Sequence, residues 1–124
     1  MARILIVDDN ADAAEMLARS LEGSGHRVKS AFTPRQAFET LEELAPEVVL
    51  LDIGLPEMDG YEVARRLRGL PRGRDVLLIA ITGYGQEEDR RKSREAGFDF
   101  HLTKPVELDG LNELIVEETR KRAG

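Results

Sequence analysis

The chain has 124 residues, of which 41% are hydrophobic and 34% charged, a balance typical of one globular domain with its own core. Its 24 acidic and 18 basic residues give a net charge of −6, which argues against direct binding to nucleic acid. Disulfides and cysteine-ligated zinc are excluded because there is no cysteine, and no apolar run is long enough to predict a signal peptide or a membrane segment.

The first two predicted elements are a strand and a helix. Residues 4–7 form an apolar run that is too short for a helix and rich in β-branched side chains. The polar run 8–10 (Asp-Asp-Asn) follows it and precedes a segment whose apolar residues recur at helical spacing. The predicted inner face of that helix consists of Ala11, Ala14, Leu17 and Leu21. Gly23 and Gly25 are expected to end it.

A second strand, a second helix and a third strand come next. Val28 and Ala31 mark a weak strand. Thr33 followed by Pro34 gives an N-cap and a proline in the first turn, which predicts the start of a helix. Residues 48–51 are apolar on both faces and therefore predict a strand that is buried on both sides.

The second half of the chain continues the alternation. A turn over residues 56–60 precedes a third helix, which should bury Ala64 and Leu67, and the most apolar run, residues 76–81, predicts a fourth strand. The remaining predictions are a helix over residues 86–96, a strand over residues 98–102, and a last helix with Leu108, Leu111 and Ile115 on its inner face.

Five strands that alternate with five helices predict an α/β fold. Strands buried on both faces form a parallel sheet with helices on both sides, joined by right-handed crossovers. A doubly wound, flavodoxin-like (βα)5 sheet commonly has the order 2-1-3-4-5, with its ligand site beyond the carboxyl ends of strands 1 and 3. We therefore expect a single domain over residues 1–124, with a core over about 3–118 and no output domain.

Polar residues follow four of the predicted strands and should meet at one edge of the sheet. Asp8 and Asp9 follow the first strand, Asp52 the third, Thr82 the fourth and Lys104 the fifth. Each alone is compatible with a helix cap or an ordinary turn. Their shared position at the carboxyl ends of the strands predicts a functional site.

Three carboxylates at this edge restrict its chemistry. Each pair of negative charges costs on the order of 4 kcal/mol at an effective dielectric of about 20, so the cluster must protonate or recruit a cation. Mg2+ suits one or two carboxylates together with phosphate oxygens. Lys104 and the Thr82 hydroxyl would bind phosphate oxygens, and an aspartate beside a metal ion is a competent nucleophile for phosphoryl transfer.

Four runs of residues resemble the response-regulator receiver domains of two-component signalling, and the similarity covers residues 3–118. The runs are ILIVDDN (4–10), LLDIGLPEMDG (50–60), AITG (80–83) and KP (104–105). The resemblance implies a phosphorelay in which Asp52 accepts a phosphoryl group from a phosphohistidine on a sensor histidine kinase or a histidine phosphotransfer protein. A conformational switch would then signal to a downstream partner that the sequence does not identify.

The same resemblance implies a Mg2+ site. Asp9 and Asp52 would ligate the ion directly, and the backbone carbonyl of Gly54 would add a further ligand. Asp8 would act mainly through a bridging water. Any kinase activity would lie in a separate domain, so the chain itself would be a phosphoacceptor switch rather than an enzyme, and we expect it to be cytoplasmic.

The phosphoryl group and the switch involve further residues under this resemblance. Thr82 would bind a phosphoryl oxygen and move on activation, Lys104 would pair with the acceptor, and its bond to Pro105 would be cis. Many family members have an aromatic switch residue three positions before this lysine, where the chain has His101. The imidazole there either reports or modulates the same movement, or it is a surface histidine on an edge strand.

The setting of the domain and its fourth helix lead to two more expectations. Residues 52–68 and 97–102 are most similar to receivers fused to hybrid sensor histidine kinases, so the chain is either a segment of such a kinase or a stand-alone response regulator.

Residues 86–95 include no apolar side chain, so the fourth helix should bury little and be easy to displace. We expect it to belong to the switching surface.

Three other functions fit the residues less well. An aspartyl-phosphate phosphatase would require Asp-x-Asp after the first strand, a spacing that residues 8–10 lack. A flavin- or nucleotide-binding module of similar topology would require a glycine-rich phosphate loop there. A receiver-like interaction module that works without phosphorylation would not need the complete acidic set together with Thr82 and Lys104.

Overall fold

The computed structural model describes residues 1–53, 59–83 and 87–123, without the side chains of residues 87–90 and 123. The strands in this part are β1 (Arg3–Val7), β2 (Arg27–Ala31), β3 (Val48–Asp52), β4 (Leu77–Thr82) and β5 (Phe100–Thr103). The α-helices are α1 (Ala11–Gly23), α2 (Pro34–Leu44), α3 (Gly60–Gly69), α4 (Glu87–Ala96) and α5 (Leu108–Ala123). None of these helices combines the length and the apolar character that crossing a bilayer requires.

The strands form one parallel sheet in the predicted order β2-β1-β3-β4-β5. In its register, Val7 of β1 lies beside Leu51 of β3, and Asp52 lies beside Ile81 of β4. The strands therefore end almost level with one another at the carboxyl edge. Residues that follow β1, β3 and β4 are brought together there.

Alternate residues of the strands supply two hydrophobic clusters, one on each face of the sheet. The first cluster joins Leu5, Val49, Leu51 and Leu78 to Leu41 of α2 and to Val63, Ala64 and Leu67 of α3. The second joins Ile4, Ile6, Leu50 and Ile79 to Leu21 of α1 and to Leu111 and Ile115 of α5. The inner faces predicted for α3 and for most of α1 and α5 are thus confirmed.

Two residues predicted for inner faces are exposed instead. Ala11 is the first residue of α1 and is exposed, and Leu108 is the first residue of α5 and is 42% exposed. Both helices begin at the carboxyl edge of the sheet. The first turn of each helix therefore extends past the ends of the strands and does not pack against the sheet. Helical spacing predicts which side of a helix faces the sheet, but it does not predict how far along the helix the sheet extends.

The fifth strand begins two residues later than predicted. The Phe98 side chain is 5% exposed and belongs to the first hydrophobic cluster, whereas Phe100 packs against the second, so the two residues do not share one face as alternate residues of a strand would. The backbone amide of Asp99 donates to the Leu78 carbonyl at 2.8 Å, while the Asp99 carboxylate accepts from the Leu78 amide at 2.9 Å. A side chain thus replaces one backbone acceptor, and regular pairing starts only at Phe100.

Two polar residues fix the amino edge of the sheet. The Arg68 guanidinium of α3 reaches the carbonyls before β4 and the Asp99 carboxylate before β5. His26 is 7% exposed, and its Nδ1 accepts from the Ala2 amide at 3.0 Å while its Nε2 lies 2.7 Å from Asn112 Oδ1 in α5. Arg68 thus joins α3 on one face of the sheet to the segments before β4 and β5, and His26 joins the start of β1 to α5 on the other face. Both sets of contacts lie at the edge opposite the predicted site.

Candidate functional site

The carboxyl edge of the sheet brings Asp8, Asp9 and Asp52 together. One carboxylate oxygen from each lies within 4.8 Å of the other two. Their convergence follows from the strand order, because β1 and β3 are neighbours whose last residues share one register. The cluster predicted from the sequence is therefore present in the structure.

The run Asp8-Asp9-Asn10 after β1 contains both the N-cap of α1 and two of the clustered carboxylates. Asn10 is the N-cap of α1, and its side-chain oxygen accepts from the Ala13 amide at 3.1 Å. The Asp8 amide donates to the Ala31 carbonyl at 3.0 Å, and its carboxylate accepts from the Asn10 amide at 2.9 Å. Because Asn10 caps the helix, neither aspartate is needed for that purpose.

Lys104 contacts the middle of the cluster. Its Nζ donates to Asp52 Oδ2 at 3.0 Å, and the side chains of Lys104 and Asp52 are 47% and 12% exposed. The Lys104 amide donates to the Thr82 carbonyl at 2.8 Å, which fixes the residue where β5 ends. The peptide bond between Lys104 and Pro105 is cis, the isomer that the resemblance implies.

Thr82 completes the set of predicted side chains. It is the last residue of β4, is 6% exposed and lies beside Thr103 in the sheet. Since Asp52 pairs with Ile81, which precedes Thr82, Thr82 lies one position further along the same edge than Asp52 does. Thr82 therefore lies at the same edge of the sheet as the three carboxylates and the Lys104 ammonium group.

The electrostatics of the cluster favour a cation. Burial raises the pKa of Asp8 most, the Asn10 amide lowers it, and the charge of Asp52 raises it further. The hydrogen bond to Asp52 raises the pKa of Lys104, against the opposing effect of burial. The donor set fits Mg2+, because its atoms are all carboxylate oxygens, the kind of ligand that this ion prefers.

The family described as "Response regulator receiver domain" matches residues 4–116. The chain belongs to this family. It is a receiver domain of two-component systems, and such domains are phosphoacceptor switches that bind Mg2+ at an acidic pocket. They interact with histidine kinases or phosphotransfer proteins.

Proteins of several lengths are similar in sequence to this receiver. The "Uncharacterized 14.6 kDa protein in sodA1 3'region" of Leptolyngbya boryana is 41% identical over 104 residues, which are 84% of this chain and 79% of that protein. The sensor histidine kinase RcsC of Salmonella typhi is 34% identical over 121 residues, 95% of this chain and 13% of the kinase. The chain spans only 44–46% of three longer response regulators that it also matches.

The fold is shared with solved receivers as well. A CheY-like response regulator receiver domain protein from Methanospirillum hungatei JF-1 superposes with a TM-score of 0.88. It is 32% identical in sequence, and the alignment covers 100% of this chain and 99% of that one. The doubly wound sheet with the order 2-1-3-4-5 is thus the receiver fold, as the sequence predicted.

His101 is more than a surface residue in this receiver. Its imidazole is half-buried in β5, and Nδ1 lies 2.9 Å from the hydroxyl of Ser93, which is 1% exposed in α4. The histidine therefore links the edge strand to the fourth helix. Ser93 is a partner that sequence reasoning missed, and the one available signal was a small neutral residue among the charges of residues 91–95.

Two predicted features need separate mention. Gly54, whose carbonyl is the further metal ligand that the resemblance implies, lies outside the described residues. The polar stretch of the fourth helix was expected to bury little, and the described side chains at positions 91, 92, 94 and 95 are exposed, whereas Ser93 is almost fully buried. The polar composition of this helix therefore predicted its exposed side but not the contact that Ser93 makes with β5.

The charge of Asp8 should destabilise the receiver when no divalent cation is present. Because the folded state raises the pKa of Asp8, the stabilising contribution of its protonated form is lost as the pH rises through that pKa. At pH 7, Asp8→Asn should therefore raise the unfolding temperature in EDTA, by about a few degrees at most. Thermal unfolding followed by circular dichroism measures this difference.

The exposed Asp75, at the opposite edge of the sheet, provides the control. Asp75→Asn should leave the unfolding temperature in EDTA unchanged. Adding Mg2+ should stabilise the wild type more than Asp8→Asn, since a ligand stabilises the state that binds it. An Asp8→Asn variant that unfolds below the wild type in EDTA would contradict the electrostatic argument.

Proposed function

We propose that this receiver accepts a phosphoryl group on the carboxylate of Asp52 and changes conformation in response. The observation that carries the proposal is the position of that carboxylate. It is 12% exposed, bonded to Lys104 Nζ at 3.0 Å, and within 4.8 Å of two further carboxylates. An aspartate placed between a cation and a metal-binding cluster is suited to attack a phosphorus atom.

In this proposal Asp9 and Asp52 hold Mg2+ directly and Asp8 holds it through water, with the carbonyl of Gly54 as a further ligand outside the described residues. When bound, the ion offsets negative charge on the transferring phosphoryl oxygens. The raised pKa of Asp8 supports the assignment, because burial makes its negative charge costly and a nearby divalent ion would offset that cost.

The phosphoryl group comes from a phosphohistidine of a sensor histidine kinase or a histidine phosphotransfer protein. An oxygen of Asp52 forms the new bond to phosphorus while the bond from phosphorus to the histidine nitrogen breaks. Lys104 Nζ is close enough to follow the charge from the carboxylate to the new phosphoryl oxygens, and the Thr82 hydroxyl donates to another of them. The domain holds these groups in place, and its partner supplies the phosphoryl group.

The switch uses the contact between β5 and α4. Thr82 lies at the end of β4, and its neighbour in the sheet, Thr103, is two residues beyond His101. A shift of Thr82 toward a phosphoryl oxygen changes the space beside β5, and movement of His101 breaks its bond to Ser93. The consequence is a displacement of α4, which presents the changed surface to a downstream partner.

The proposal is tested by labelling the protein with acetyl phosphate. We expect one phosphoryl group per chain in Mg2+ and almost none in EDTA. Reduction of the acyl phosphate with borohydride should convert Asp52 to homoserine, which peptide mass spectrometry locates. No labelling by acetyl phosphate or by a phosphorylated histidine donor would leave a phosphorylation-independent interaction module as the better interpretation, and homoserine at another position would exclude Asp52 as the acceptor.

A further inference from the structure

The start of α3 touches the backbone that carries Asp52. The Gly60 amide donates to the Ile53 carbonyl at 3.1 Å. A Cβ atom added to Gly60 would lie 2.5 Å from the Ile53 Cα and 2.8 Å from its carbonyl oxygen. Because real side chains do not approach backbone atoms that closely, only glycine allows α3 to begin at this distance from Ile53.

Helix geometry explains why this amide is available. Gly60 is the first residue of α3, and the first amides of a helix have no carbonyl partner within it. The side chain of the N-cap, Asp59, accepts from the Tyr61 amide at 2.9 Å, so it satisfies one of the neighbouring donors. The Gly60 amide is directed instead at the residue that follows the acceptor.

Ile53 is also held from the other side. Its amide donates to the Ile81 carbonyl of β4 at 3.2 Å, at the point where Asp52 and Ile81 are paired in the sheet. The amide of Ile53 is thus fixed by β4 and its carbonyl by α3. This arrangement clamps the backbone directly after Asp52, where a small displacement would move the Asp52 carboxylate relative to Lys104 and Asp9.

We propose that Gly60 is a positioning residue for phosphorylation: the close approach of its amide to Ile53 sets the position of the Asp52 carboxylate between Lys104 and the metal-binding aspartates. The inference rests on the proposed function and assigns a role to a residue that does not touch the phosphoryl group. Gly60→Ala must push Ile53 away from α3, and the carboxylate of the preceding residue moves with it.

The test compares Gly60→Ala with Gly69→Ala. Gly69 is the last residue of the same helix, and a Cβ there would meet no atom within 4 Å. Each variant is labelled with acetyl phosphate at saturating Mg2+, at a temperature where circular dichroism shows it to be folded. A second measurement, Mn2+ binding followed by electron paramagnetic resonance, reports the metal site without any phosphorylation.

Gly60→Ala should be labelled about tenfold to a hundredfold more slowly than the wild type, because a displacement near 1 Å costs that much at a reacting centre. It should also bind Mn2+ more weakly, while Gly69→Ala matches the wild type in both measurements. A purely structural glycine would lower the unfolding temperature and leave the labelling rate and Mn2+ affinity of the folded protein unchanged. That result would overturn the proposal.

Asp59→Ala keeps the test decisive if Gly60→Ala does not fold. It removes the side-chain cap that fixes the first turn of α3, so it should slow labelling in the same direction but less. Labelling of Asp59→Ala at the wild-type rate would then overturn the role of this turn. The two proposals fail differently: an unlabelled wild type rejects Asp52 as the acceptor, whereas equally fast labelling of wild type and variants rejects only the positioning role.

Discussion

Asp52→Asn is expected to abolish labelling by acetyl phosphate, with a loss on the order of a thousandfold or more, as for other removed nucleophiles. Asparagine has the shape of aspartate, so the side chain still fits between Lys104 and the remaining carboxylates. Its amide has no negatively charged oxygen to attack phosphorus. The rate of incorporation of radiolabelled phosphoryl groups in Mg2+ measures the loss.

The control for this prediction is Asp12→Asn, an exposed aspartate in the first turn of α1. Asp12 lies at the same edge of the sheet but is not one of the clustered carboxylates. The Asp12→Asn variant should therefore be labelled at the wild-type rate. Asp8 and Asp9 are the nearest alternative acceptors. Residual labelling of Asp52→Asn at a substantial fraction of the wild-type rate would mean that one of them, rather than Asp52, receives the phosphoryl group.

Arg68→Met is expected to have the largest effect on stability, a loss of about 3 kcal/mol and a fall of roughly 10 °C in unfolding temperature. The Arg68 side chain is only 21% exposed, and methionine replaces its length but none of its donors. Its guanidinium donates to the Asp99 carboxylate at 2.9 Å and to the Gly97 carbonyl at 2.7 Å. Further carbonyl partners are Gly73, Arg74 and Val76.

The cost of Arg68→Met is large because several acceptors lose the same donor group. Asp99 would keep Arg122 of α5 at 3.2 Å and the Leu78 amide, but the carbonyls before β4 would lose a charged donor. Chemical denaturation followed by circular dichroism measures the change. Arg68→Lys should recover only part of the stability, because one ammonium group cannot reach partners on both sides.

Arg65→Met is the matched control on the same helix. The Arg65 side chain is 56% exposed, and its partner in α3 is Glu62 at 3.0 Å. Such a surface pair contributes about 0.5 kcal/mol or less, so the variant should be nearly as stable as the wild type. Equal stability losses for Arg65→Met and Arg68→Met would show that the hydrogen bonds of Arg68 contribute no more to stability than a surface ion pair does.

The sequence was sufficient for features that depend on local pattern and topology. Apolar runs of strand length between helical segments predicted the order of the sheet, because doubly wound folds have few solutions. The order then placed Asp8 and Asp9 beside Asp52 without any knowledge of side-chain geometry. Thr33 and Pro34 likewise predicted the start of α2, where the threonine hydroxyl accepts from the Gln36 amide at 3.1 Å.

Contacts between individual side chains that do not follow from the order of the strands were not predictable. Arg68 is one of several arginines in α3, and nothing in its neighbourhood shows that it reaches Asp99, which is 31 positions away. The contact of Ser93 with His101 required the distance between α4 and β5. The run Arg120-Lys121-Arg122 fits a helix end by charge alone, but the structure shows that Arg122 also binds the Asp75 carbonyl at 2.9 Å.

The bond between His101 and Ser93 makes the contact between β5 and α4 observable in solution. The chain has only two histidines and no tryptophan, so its imidazole nitrogen resonances form a spectrum of two side chains. His26, held by Ala2 and Asn112 at the far edge of the sheet, supplies an internal reference. The nitrogen shift of His101 Nδ1 then reports directly on its hydrogen bond to Ser93 of α4, without an added dye or an engineered label.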